Sequence, residues 1–216
     1  MNEQQYKTPE IIELELTSKC TLGCAVCSRT MDPEETFSKW KLGELDISVV
    51  ESLLKLPSVR FMNYTGSFGD PIYHSRLIDI VKLTKQYGKS LQITTNGSYR
   101  KAEWWQELAD CLDEDDQIQF SVDGLQHNNH IYRVNADWPS IETGMRIITK
   151  SKAFTEWKWI LFNYNQFDVA EGFKLAKSMG FTSFNVIETR RNPPGMEATR
   201  PYSDVLKEIE RLQRES

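Results

Sequence analysis

The chain has 216 residues, 39% hydrophobic and 26% charged, with a formal net charge of −5. This is the composition of a soluble globular protein with mass for one good core; no apolar run reaches the ~18 residues of a membrane helix, and residues 1–9 lack the apolar stretch of a secretory signal. The acidic balance argues against broad nucleic-acid binding, which draws on a basic footprint, but leaves room for a local basic groove.

In chain order, a strand-like run at residues 11–16 (IIELEL) comes first. It sets Glu13 and Glu15 on one face, and a carboxylate turned inward there needs a partner. The segment Thr17-Ser18-Lys19-Cys20-Thr21-Leu22-Gly23-Cys24-Ala25-Val26-Cys27 follows. A helix is predicted over 46–55, opened by Asp46, then a strand over 58–64 and the loop Gly66-Ser67-Phe68-Gly69-Asp70-Pro71. The next helix, 75–86, carries Leu77, Ile80, Val81 and Thr84 on one stripe and closes at Gly88. Strand Ser90–Thr95 runs into Asn96-Gly97, helix 101–112 follows, and strand 117–122 runs straight into Asp123-Gly124. Helix 140–150, strand 156–162, helix 168–178 (stopped by Gly180) and strand 182–187 complete the pattern. An amphipathic helix over Tyr202–Arg214 comes last.

Six strand-then-helix units imply α/β architecture on a parallel sheet, either open and doubly wound or curved into a partial barrel. Six are too few for a closed eight-stranded barrel. No linker divides the chain, so a single domain is expected over 1–216, with its core at about 10–190 and a tail and helix over 191–216. In either architecture chemistry gathers where the strands end. The cysteines, glycines and Asp/Asn pairs all fall on that rim, whereas the opposite loops, such as Leu56-Pro57 and Tyr87-Gly88-Lys89, are bland.

Of four cysteines, Cys20, Cys24 and Cys27 form C-x3-C-x2-C and Cys111 stands apart. Clustered thiols in a reducing compartment point to metal rather than to a disulfide framework. Three thiolates hold three irons of a [4Fe–4S] cube and leave the fourth iron open. The alternative is a structural zinc, which needs a fourth ligand from Cys111, His74, His127 or His130. Cys111, near the end of a helix leading to the opposite rim, reads as a packing residue. Asp70 also suits a helix cap near Ser75, and Arg133 a solvated surface. Five of the six tryptophans, at 104, 105, 138, 157 and 159, read as packing. Residues 113–116 read as a solvated acidic loop, and Asn163, Asn165, Glu188, Arg190 and Arg191 as substrate contacts.

A C-x3-C-x2-C segment after the first strand of a β/α chain resembles the radical S-adenosylmethionine (SAM) superfamily, over about residues 10 to 190. The resemblance implies a partial (β/α)6 barrel, parallel throughout, with the three cysteines holding a [4Fe–4S] cluster whose open iron SAM chelates. Reductive cleavage of SAM then yields a 5′-deoxyadenosyl radical that abstracts hydrogen from substrate. It also implies SAM contacts: Val26 near the adenine, where the family more often has an aromatic residue; Gly66, Gly69 and Asp70 in place of a Gly-Gly-Glu-Pro segment; and Asn96 near the ribose. Ser121 and Arg133 would approach the carboxylate, as in the Ser-x-Asp-Gly…Arg pattern of the peptide-modifying branch, with Asp123 at ribose or substrate. Thr21 stands where that family often has asparagine.

The style is closest to SPASM/twitch-type relatives, which modify peptides and proteins, but no cysteine-rich extension follows Cys111. The expected partners are a flavodoxin- or ferredoxin-like electron donor and a peptide, protein or small-molecule substrate, in the cytoplasm, with no membrane. Nucleotide or tRNA-base modification, glycyl-radical activation and a non-enzymatic metal module are the alternatives. The sequence assigns no catalytic side chain.

Overall fold

The computed structural model describes residues 9–39, 42–189 and 193–215. Six strands, β1 (Ile11–Glu15), β2 (Phe61–Thr65), β3 (Ser90–Thr95), β4 (Gln117–Ser121), β5 (Phe154–Leu161) and β6 (Ser183–Glu188), form one parallel sheet in the order β1-β2-β3-β4-β5-β6. A doubly wound sheet reverses its strand order part-way. This order never reverses, so the sheet winds in one direction like part of a barrel, and β1 and β6 do not pair to close it.

Alternation along the strands separates two faces. Met62, Tyr64, Leu91, Ile93, Ile118, Phe120, Trp157, Trp159 and Val186 are buried on one face. Of the helices α1 (Ser28–Met31), α2 (Pro33–Lys39), α3 (Ile47–Leu54), α4 (Leu77–Gln86), α5 (Ala102–Asp110), α6 (Asn129–Tyr132), α7 (Trp138–Ile148), α8 (Val169–Met179) and α9 (Tyr202–Arg214), α3, α4, α5, α7, α8 and α9 pack into the main core on that side. The opposite face is polar and lines the cavities described below. There Asn63 donates to Glu13 at 3.4 Å, and Gln119 donates to Glu156 at 2.5 Å.

The predicted helix start at Asp46 holds: its carboxylate accepts the Ser48 N–H at 2.8 Å and caps α3. Gly180 ends α8 at φ +92°, a conformation that favours glycine. Trp105, Trp157 and Trp159 are wholly buried, as the packing reading requires. Helix α9 buries Val205, Ile209 and Leu212 in the main core, and Tyr202 donates to the Val186 carbonyl at 2.7 Å.

One expectation fails. Asp116 is not solvated: it is fully buried, and its carboxylate accepts from Lys85 at 2.9 Å, from the Leu91 N–H at 3.0 Å and from the Asp113 N–H at 2.9 Å. The acidic loop thus fastens β3 to the loop before β4. No helix among the described residues is long and apolar enough to cross a membrane.

Candidate functional site

The site begins where β1 ends. The cysteine loop and the glycine loop after β2 are locked together by three devices. Glu15 accepts the backbone N–H groups of Ser67 at 2.9 Å and Phe68 at 3.2 Å, which supplies the partner its placement demanded. Arg29 donates to the carbonyls of Ser18, of Phe68 at 2.7 Å and of Cys20 at 3.4 Å. The third device is close backbone approach: a methyl group at Gly69 would strike the Thr17 carbonyl, and one at Gly66 the Gly69 carbonyl. Sequence reasoning missed Arg29, because no local pattern announces a side chain that bonds carbonyls ten and forty residues away.

Asp70 is buried at the centre of the next junction. One carboxylate oxygen accepts Ile72 N–H at 3.1 Å, capping the short 3-10 turn Pro71–Tyr73 rather than a helix at Ser75. The other accepts the Asn96 N–H and side-chain amide, each at 2.6 Å, and the Thr95 hydroxyl at 3.1 Å. Burial pushes its pKa up to about 6 against those donors. Held this way, the Asn96 amide also points at the Cys20 sulfur, 3.7 Å away. Asp70 therefore orients the loop after β3, with its own acceptors spent.

At the end of β4, Asp123 is fully buried. It accepts Arg133 Nε at 2.7 Å and Ile160 N–H at 2.7 Å. Asn129 accepts the Asp123 N–H at 2.9 Å, and Tyr164 and Asn165 donate to the Asp123 carbonyl at 2.8 and 2.9 Å. Burial disfavours the Arg133 cation, but Asp123 outweighs it and raises the guanidinium pKa. Asp123 thus holds Arg133 through Nε, with the guanidinium close enough to Cys24 to oppose the rise in its pKa. Asn165 corrects a second expectation: it is buried, donating also to Ile160 O and accepting Phe162 N–H, so it builds the loop and does not face substrate.

Cys20, Cys24, Cys27, Gly66, Gly69, Asp70, Asn96, Ser121 and Arg133 all line one cavity of about 110 Å3. Val26 packs beside it, buried with Tyr132 and Phe162, whose ring centroids lie 4.6 Å apart. Cys111 is remote, at the C-cap of α5, with its thiol on the Glu107 carbonyl. His74 is committed as well: Nε2 bonds the Leu45 carbonyl at 2.9 Å and Nδ1 accepts Arg76 N–H. His127 lies against Asp168 at 3.3 Å. Arg190 and Arg191 lie outside the described residues.

The thiols themselves report what the cavity suits. Burial, with the nearby Asp70 charge, pushes Cys20 up to about 11; burial also raises Cys24, with Arg133 pulling the other way. Free thiolates are disfavoured here, while a metal group that binds them supplies the missing positive charge. No three His, Cys, Asp or Glu side chains among the described residues converge on a single-ion site. Three soft sulfur donors around one cavity, with an amide and a guanidinium directed at two of them, fit a multi-iron cluster.

A sequence model described as the radical SAM superfamily matches residues 14–188. A tungsten-containing aldehyde ferredoxin oxidoreductase cofactor-modifying protein of Pyrococcus furiosus is 33% identical over 116 residues, 52% of this chain and 30% of that protein. An S-adenosylmethionine-dependent nucleotide dehydratase, RSAD2, of Siniperca chuatsi is 30% identical over 116 residues, 51% of this chain and 30% of the relative. The chain thus spans about a third of the length of these curated relatives. Among solved structures, Streptococcus suis SuiB bound to S-adenosylmethionine superposes with a TM-score of 0.73 at 12% identity, covering 96% of this chain and 47% of SuiB. SuiB bound to its precursor peptide SuiA gives 0.72 at 13%. These likenesses identify the fold as the partial barrel expected.

Proposed function

The chain belongs to the radical SAM superfamily, and from that premise we propose that Cys20, Cys24 and Cys27 hold a [4Fe–4S] cluster at which SAM is bound and cleaved. Bound there, cluster and SAM supply a 5′-deoxyadenosyl radical able to remove a hydrogen atom from substrate. The observation that carries the reading is the single cavity shared by the three thiols, Gly66, Gly69, Asn96, Ser121 and Arg133.

The chain's own residues divide the work. Arg133, charged and steered by Asp123, offers its remaining N–H groups to a carboxylate, for which a guanidinium fork is suited. Glu15 and Arg29 fix the glycine loop so that its backbone borders the cavity. Asn96 directs a donor at the Cys20 sulfur, which favours the ligating thiolate. Val26, Tyr132 and Phe162 close one side against water.

For substrate, the Ser121-x-Asp123-Gly124…Arg133 pattern supports a peptide or protein side chain. A second reading, a nucleotide or another small cofactor, is favoured by the named activities of the two curated relatives. The electron donor is proposed to be flavodoxin- or ferredoxin-like.

The test is anaerobic reconstitution followed by SAM and a strong reductant. About four irons per chain and formation of 5′-deoxyadenosine are expected. Cys24→Ala is expected to lose both. Tightly held zinc with no SAM cleavage, or cleavage retained in Cys24→Ala, contradicts the reading.

A further inference from the structure

A second cavity, of about 840 Å3, opens on the same polar face toward β6. Lys158 lines it, paired in register with Ser121 of β4 and Asn185 of β6. Ser121 also lines the cysteine cavity, so Lys158 stands one strand away from it. The nearest carboxylate along β5 on this face, Glu156, is occupied by neutral amides: Gln119 donates at 2.5 Å and Asn185 at 3.4 Å. Among the described residues the half-buried Lys158 has no ion pair and no side-chain hydrogen bond. Of the other half-buried lysines, Lys85 is bonded to both Asp113 and Asp116, and Lys89 has no side-chain partner among the described residues. No counter-charge among them meets Lys158, although a carboxylate lies two residues away, and its side chain borders the cavity.

We propose that Lys158 binds an anionic group of the substrate, a carboxylate or a phosphate, and so fixes the substrate's inner end beside Ser121. Glu188, which lines the cavity near the end of β6, repels an anion at the rim and leaves the inner position to it. The inference deepens the proposed function and rests on its assignment of the neighbouring cavity to cluster and SAM.

The test is acetylation of reconstituted, SAM-saturated protein with N-hydroxysuccinimide acetate, followed by mass spectrometry of each lysine. SAM occupies Arg133, so that the probes report on Lys158. Tripolyphosphate serves as the phosphate probe and triglycine as the carboxylate probe, with triglycine amide as its control. One of the two anions is expected to slow acetylation of Lys158 about tenfold, the scale of one charge-assisted contact, and to leave the exposed Lys174 unchanged. Protection by tripolyphosphate alone assigns a phosphate, and protection by triglycine but not its amide assigns a carboxylate. Protection by neither, or equal slowing at Lys174, overturns the proposal. Lys158→Met should still form 5′-deoxyadenosine without substrate, within about twofold of the parent, because Lys158 does not line the cofactor cavity. Absence of 5′-deoxyadenosine in the parent protein strikes the proposed function instead, so the two failures are separable.

Discussion

At the residue scale, the site is held by side chains that have finished their bonding before any ligand arrives. Asp70 spends both oxygens on the loops around it, and Asp123 spends both on Arg133 and β5. Gly69 is required for a different reason, since its hydrogen faces the Thr17 carbonyl. Gly69→Ala is therefore expected to cost about 1–3 kcal/mol in urea unfolding and to lower iron uptake. Gly43→Ala, with nothing within 4 Å of the added methyl, should stay within about 0.5 kcal/mol of the parent. Equal effects at the two glycines would contradict the account. Residue chemistry was legible where it was local: C-x3-C-x2-C and Asn96 follow strand ends in sequence, and they line one cavity with Arg133, which the family resemblance pointed to. It was not legible where polarity had to be translated into burial. Asn165 and Asp116 look like loop residues in a string of letters, but both are fully buried, because each satisfies backbone groups that would otherwise be orphaned.

At the element scale, all six strands and the longer helices were legible from periodicity, with ends displaced by at most three residues. The predicted β2 began at 58, for instance, whereas pairing starts at Phe61. The short helices α1, α2 and α6 and the 3-10 turn were not, because three to seven residues are too few for a periodic stripe. These pieces hold the rim together. Glu44 is one of their fasteners: it accepts Lys19 Nζ at 2.8 Å, the Ser75 N–H at 3.1 Å and the Ser75 hydroxyl. Burial works against ionisation, but these bonds prevail and bring its pKa down from 4.5 to about 2. A depressed pKa means that the stabilisation is complete above the ordinary value and fades as pH falls through the lower one. The parent should therefore exceed Glu44→Gln by about 0.5–1 kcal/mol at pH 7, a solvent-screened value, and the gap should close toward pH 2. Urea midpoints at pH 7, 4 and 2.5 measure it; a gap that widens on acidification refutes the assignment.

At the scale of the whole molecule, parallel pairing brings every strand's end to one rim, and an order that never reverses winds the sheet in one direction. That is why residues as far apart in sequence as Cys20 and Arg133 share a cavity. Helix α9, beyond residue 190, packs Val205, Ile209 and Leu212 into the main hydrophobic core. Ile209→Ala is expected to cost about 2–4 kcal/mol, read from the urea midpoint; a neutral change would mean that the helix does not pack as described. Because the three thiols and Arg133 line one cavity, the central proposal is that three sulfurs hold a cluster that keeps one iron for SAM. Electron paramagnetic resonance of the reduced, reconstituted protein, recorded with and without SAM, tests it most directly. The account predicts one cluster signal per chain that shifts on adding SAM in the parent and does not shift in Arg133→Ala at the same SAM concentration. A signal unchanged by SAM in the parent protein, or reconstituted protein that binds zinc and gives no signal, would contradict it.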